Sequence, residues 1–171
     1  MTIHAKAAAL LGAVCTAAAT ATEPAALRPP AGETMALELH ARGVQIYECA
    51  AAKDAQRFEW SLKGPEAALF YRGGRSAGIH YAGPSWQALD GSTVVAQVAA
   101  REDSPDPSAI PWLLLRTVST RGEGVFSRVL SIQRVDTVGG RPPAEPCTPE
   151  QAGRVAPVAY SATYNFFVAE H

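Results

Sequence analysis

Along this chain apolar and polar residues alternate with a period of two far more often than with the 3.6-residue period of a helix, which predicts strands. "TMALELH" puts Met35, Leu37 and Leu39 on one face. After "ARG", "VQIYEC" puts Val44 and Ile46 on one side and Gln45, Tyr47 and Cys49 on the other. The pair reads as a hairpin turning at residues 41–43, with a short helix over residues 33–41 as the competing reading. "FEWSL" predicts a strand that sends Phe58, Trp60 and Leu62 toward the core. "ALFYRGGRSAGIHYAG" predicts a second hairpin around Gly73 and Gly74. "SWQALDGSTVVAQVAA" predicts a third at Asp90-Gly91, because that turn needs positive φ at both central positions. "WLLLRTVS" and "GVFSRVLSIQRV", joined by "TRGEG", are rich in β-formers and have broad apolar faces, as central strands do. "VAYSATYNFFVAE" closes the series with Tyr160, Tyr164 and Phe166 on one face. The elements predict one all-β domain over residues 33–169, an antiparallel sandwich or partly closed barrel of about ten short, hairpin-rich strands.

What precedes the strands has a different character. Lys6, an apolar run over residues 7–14 and the small residues Ala19 and Ala21 match a secretory signal peptide over residues 1–21, too short an apolar run to span a bilayer. Residues 22–32 read as a flexible leader. Secretion or a periplasmic location is therefore expected, with no transmembrane segment left after cleavage. Cleavage also removes Cys15, leaving Cys49 and Cys147, and an even pair in an exported chain predicts one disulfide. That bridge would pin the Pro/Gly-rich stretch of residues 136–153 to the strand carrying Cys49. The other long connection, residues 101–111, holds three prolines and reads as a solvated surface loop. Its Asp103 and Asp106 are too few carboxylates for calcium. The net charge of −1 offers no basic excess for phosphates, so nucleic acid is not an expected partner.

Chemistry concentrates in "GIHYAGPSWQALDGS". His80, Tyr81, Trp86 and Asp90 are the candidate ligand-binding residues. Aromatic faces beside polar groups suit a saccharide or another small polar ligand. An Asp90 sharing a face with His80 would orient it as a general base, with Ser85 or Ser92 as nucleophile. The plainer reading has His80 as a half-buried strand residue, Trp86 as core and Asp90 as a turn former. Trp60 and Trp112 belong to the same aromatic set. No phosphate loop occurs, and no helix is expected after the glycines of "GGRSAG". His40, His80 and His171 are scattered, and neither cysteine has a ligand at metal spacing, so no metal and no cofactor is expected.

Three stretches in order, "LRPPAGETMALELHARGVQIYEC", "GIHYAGPSWQALDGS" and "IPWLLLRTVSTRGEGVFSRVLSIQRVDTVGG", resemble the domain-of-unknown-function family 3455 of exported bacterial and fungal proteins. The resemblance covers roughly residues 24–167, implies export and a single β-rich domain, and names no catalytic residue. Some fungal members carry a malate-dehydrogenase-like label, but the dinucleotide fingerprint and βαβ pattern are missing here. The expected function is a binding or accessory module for a small ligand, a saccharide or a cell-envelope protein. The alternatives are a small secreted hydrolase or lyase using His80 with Asp90 as a general base pair, and a purely structural envelope protein.

Overall fold

The computed structural model describes residues 24–53 and 57–170. The expected signal peptide lies outside the described residues. Eight strands follow one another: β1 (Glu33–Ala51), β2 (Phe58–Phe70), β3 (Ser76–Tyr81), β4 (Ser85–Ala88), β5 (Thr93–Glu102), β6 (Trp112–Arg121), β7 (Ser131–Gly139) and β8 (Val155–Ala169). Each pairs antiparallel with the next, and β8 returns to pair with β1, so the sheet closes into a barrel. The all-β, antiparallel expectation is borne out, and of the two architectures it allowed the barrel is the one formed. Closure satisfies the backbone groups that an edge strand would leave unpaired.

The strands are fewer and longer than expected, for two local reasons. "ARG" is not a turn. β1 runs straight through it, and Gly43 pairs with Ala67 on one side and Tyr160 on the other. A Cβ at Gly43 would land on the Glu66 carbonyl oxygen, so this glycine serves the close approach of two backbones rather than a reversal. The helix alternative for residues 33–41 is likewise replaced by strand. The second difference is that residues 124–130 of "GVFSRVLSIQRV" are turn and irregular chain, and β7 begins only at Ser131. Phe126 and Val129 from this segment enter the core.

Apolar side chains that face inward form that core, among them Leu39, Leu69, Trp86, Leu115, Ile132, Tyr164 and Phe166. At the end of the barrel that carries the β2–β3, β4–β5 and β6–β7 turns, residues 122–130 fold across the opening. Asp90 clips them there: its carboxylate accepts the Val125 N–H at 2.9 Å, and Ser92 Oγ accepts the Phe126 N–H. The other end is crossed by residues 103–111 and 140–154. The predicted Cys49–Cys147 disulfide is present and holds the second of these loops to β1.

Residues 22–32 contain a short 3₁₀ turn, Ala25–Leu27, in their described part. Leu27 is 0 % exposed and packs with Trp112, Leu114 and Val135 on the outer wall of the barrel. Gln133 Nε2 donates to the Leu27 carbonyl at 2.9 Å. No helix among the described residues is long and apolar enough to cross a membrane.

Candidate functional site

The half of the barrel away from the Asp90 clip is not filled. A cavity of about 330 Å³ opens there, beneath the loops of residues 103–111 and 140–154. Inward-facing positions of all eight strands build its wall, and they follow from register. On β1 the inner side is the one carrying Gln45, Tyr47 and Cys49, so the more polar side of "VQIYEC" faces in. On β3 and β4, His80 and Trp86 are directly paired and both point inward.

Two β-bulges decide which side chains reach the cavity. Across β1 and β2, Ile46 pairs with Gly64 but Tyr47 with Leu62, leaving Lys63 as the extra residue. Leu62 thus shares the inner face with Pro65, Ala67 and Leu69, although strict alternation from Leu62 would point those three outward. Phe58, Trp60 and Leu62 do lie on the inner side, as expected, but at the rim. Trp60 there donates its Nε1–H to the Glu145 carbonyl at 2.9 Å instead of entering the core. Across β5 and β6, Val98 pairs with Leu115 and Ala100 with Leu114, leaving Ala99 extra. Beyond this bulge the alternation inverts, and Arg101 joins Val98 on the cavity wall.

The wall is mainly apolar: Leu62, Val98, Ile110, Leu113, Leu115 and three prolines beside the rings of Tyr47, Trp86 and Tyr164, plus Pro111. His80 lies flat on Trp86, with centroids 4.3 Å apart and planes 10° from parallel, and Tyr164 meets both rings edge-on. Trp86 is 1 % exposed, so no ring face is open for a sugar to stack on. His80 Nδ1 lies 2.8 Å from the Ser85 carbonyl oxygen. A carbonyl only accepts, so Nδ1 carries the proton and the neutral ring leaves Nε2 bare. Burial pushes the His80 pKa down to about 3; the Ser85 bond opposes this and the Arg134 charge adds to it. Burial likewise raises the hydroxyls of Tyr47, Tyr160 and Tyr164 above their ordinary value.

Three arginines complete the wall: Arg101, Arg134 and Arg141. Arg134 donates twice to the Pro111 carbonyl, from Nε at 3.1 Å and Nη2 at 2.8 Å, and Arg141 Nε donates to the Ala109 carbonyl at 2.9 Å. Tyr47 donates to the Gly140 carbonyl at 2.7 Å and Thr137 to that of Ile110 at 2.6 Å. These bonds fasten both loops across the mouth. Gln45 Nε2 and Trp86 Nε1 are buried without a hydrogen-bond partner.

Of the four residues singled out from sequence, the structure brings two together. His80 and Trp86 meet in the cavity wall. Tyr81 alternates to the outer face, where it is 37 % exposed beside Ile79. Asp90 sits in the turn at the closed end, where Ser92 N–H, Ser92 Oγ–H and Val125 N–H occupy its carboxylate. His80 and Asp90 therefore form no dyad: each is engaged with other groups, at opposite ends of the barrel. Ser92 Oγ is committed to Asp90, and Ser85 Oγ donates to the Gly83 carbonyl. Trp112 lies outside, under Leu27. No cluster of His, Cys, Asp and Glu suited to a metal occurs among the described residues. Sequence reasoning missed the arginines and Gln45; the bulges that turn Arg101 inward leave no mark in the alternation.

A family model described as "Protein of unknown function (DUF3455)" matches residues 30–168. No curated protein and no solved structure matches the chain.

Proposed function

Because the chain belongs to the DUF3455 family of proteins of unknown function, its role is to be read from its own cavity, and we propose that it is a non-catalytic module that holds one small, largely apolar molecule inside the barrel. The observation that carries this is the cavity of about 330 Å³ inside the barrel, lined by side chains of every strand. Protein interiors tolerate few voids larger than a water, and this space lies within the range of small-molecule sites. At about 30 Å³ per water it matches roughly eleven waters, or a molecule of about a dozen non-hydrogen atoms.

The groups around it suit binding better than catalysis. An imidazole with a pKa near 3 is a weak base. Both serine hydroxyls once considered as nucleophiles are engaged with other oxygens. The aromatic rings offer edges rather than faces, which favours an apolar body over a saccharide. The disulfide supports a working place in an oxidising compartment, secreted or periplasmic.

The test is a titration of the intact, disulfide-bonded protein with the neutral probe 2-naphthylmethanol, read by its fluorescence. Saturable one-to-one binding is expected. Val98→Trp, which fills the cavity from its rim, should weaken it about tenfold or more while the thermal midpoint stays within a few degrees. Absent binding, or binding indifferent to Val98→Trp, refutes the reading.

A further inference from the structure

We propose that the molecule held in the barrel carries an anionic group, in the simplest case a carboxylate, and that Arg134, with Arg101 and Arg141 beside it, receives that group. This rests on the cavity being a binding site, and it specifies what the site selects.

The charges around the cavity are all of one sign. Its lining includes three arginines and no aspartate or glutamate. His80 is neutral, so it neither adds to nor balances them. Elsewhere on the molecule arginines find carboxylates: Arg72 with Glu38, Arg116 with Glu33, Arg154 with Glu145. The cavity arginines do not. Arg134 and Arg141 donate to backbone carbonyls, Arg134 also acts on the neutral Tyr164 hydroxyl, and none of the three cavity arginines forms an ion pair among the described residues. The Asp106 carboxylate feels the Arg141 charge, but it lies on the exposed loop and is already bonded to Ser108.

Arg134 is the innermost of the three. It pairs with Leu113 on the inward side of the sheet, and its charge reaches Tyr47, His80, Tyr160 and Tyr164. A half-buried guanidinium without a counter-charge has lost part of its hydration, and an anion is the group that offsets that cost. Its planar donor fork fits a carboxylate better than a neutral oxygen. The Ala99 bulge brings a second guanidinium to a face whose preceding residues are Val94, Ala96 and Val98. Bulges that re-aim one side chain are characteristic of binding sites. The apolar body then lies among Leu62, Val98, Leu113 and Leu115, below the charged group.

Three probes of one shape separate charge from shape: 2-naphthoate, 2-naphthylmethanol and 2-naphthylmethylammonium, each titrated into the intact protein. The acid is expected to bind at least about tenfold tighter than the alcohol, the ratio that corresponds to about 1.4 kcal/mol. The ammonium is expected to bind more weakly than the alcohol. Arg134→Gln should collapse the acid-to-alcohol ratio to near one, the acid losing more affinity than the alcohol. Arg101→Gln and Arg141→Gln change exposed side chains, so they keep the question answerable if Arg134→Gln fails to fold. Each should lower the ratio by a smaller factor, and added salt should compress it further. Equal binding of acid and alcohol, or a ratio that survives the Arg101 and Arg141 substitutions together, overturns the anionic assignment while leaving the cavity reading intact. No binding by any probe overturns both.

Discussion

Replacing His80 by phenylalanine should flatten the acid side of the protein's stability profile. The imidazole is neutral in the folded barrel with a pKa near 3, against 6.5 for an ordinary histidine. Above pH 6.5 neither folded nor unfolded chain carries the proton. As pH falls below 6.5 the unfolded chain takes it up and the folded chain does not, so the unfolded state gains and stability is lost. The slope approaches about 1.4 kcal/mol per pH unit. Between pH 7 and pH 5 the loss is about 2 kcal/mol, still short of the full effect, which is complete only below pH 3. The carboxyl of Asp90, held below its ordinary range by the Ser92 hydroxyl and the Val125 and Ser92 amides, titrates beneath this window.

Urea unfolding of the disulfide-intact protein at pH 5, 6, 7 and 8 gives the profile, provided the m-value stays constant. His80→Phe loses the donor to the Ser85 carbonyl, so its stability is lower overall by about 1–3 kcal/mol. What matters is its slope, which should be shallower than wild type by about 2 kcal/mol across pH 7 to 5. Equal slopes in the two proteins would refute the claim that His80 is held neutral by burial.

Two further outcomes follow from groups at opposite ends of the barrel. Asp90→Ala removes the acceptor for Ser92 and Val125 and should destabilise the fold by about 1–2 kcal/mol, while probe affinity in the cavity stays within about twofold of wild type by the additivity of distant sites; a large loss of binding with unchanged stability would contradict a purely structural Asp90. Replacing both Cys49 and Cys147 by serine opens a link between residues separated by 98 positions and should cost about 2–5 kcal/mol, with amide exchange in residues 140–154 rising before that in β1, as hydrogen-exchange mass spectrometry would show; an exchange pattern unchanged in that loop would mean that its hydrogen bonds to Tyr47, Trp60, Ala109 and Cys49 hold it without the bridge.

The hairpins at Gly73-Gly74 and Asp90-Gly91 were legible because turn chemistry is local: positive φ selects glycine, and a short polar side chain caps the turn, although Asp90 itself does not take the positive φ expected of both central positions. The disulfide was legible because only two cysteines remain once the expected leader is removed. The chain through Gly43 was misread for the opposite reason. A glycine that makes room for a neighbouring backbone looks the same in sequence as a glycine that turns, and only the partner strand tells them apart. The site was half legible. His80 and Trp86 were picked for their chemistry and do share the cavity wall, whereas Tyr81 was carried in by adjacency and alternates away. Arg101 was invisible because a single extra residue, Ala99, inverts the inward-outward parity beyond it.

The pairing of β1 with β8 has a bearing on how the chain reaches this state. The two longest contributors to barrel closure include residues near the start and the end of the domain, from Glu33 opposite Ala169 to Glu48 opposite Val155. Loop-closure entropy must be met before such remote strands reward each other, and topologies of this kind fold slowly. The middle hairpins can form as soon as they are synthesised, but the sheet has two raw edges until the last strand arrives. An incomplete chain is thus a sticky one, and a truncation that removes β8 would leave an aggregation-prone open sheet of seven strands rather than a smaller working module.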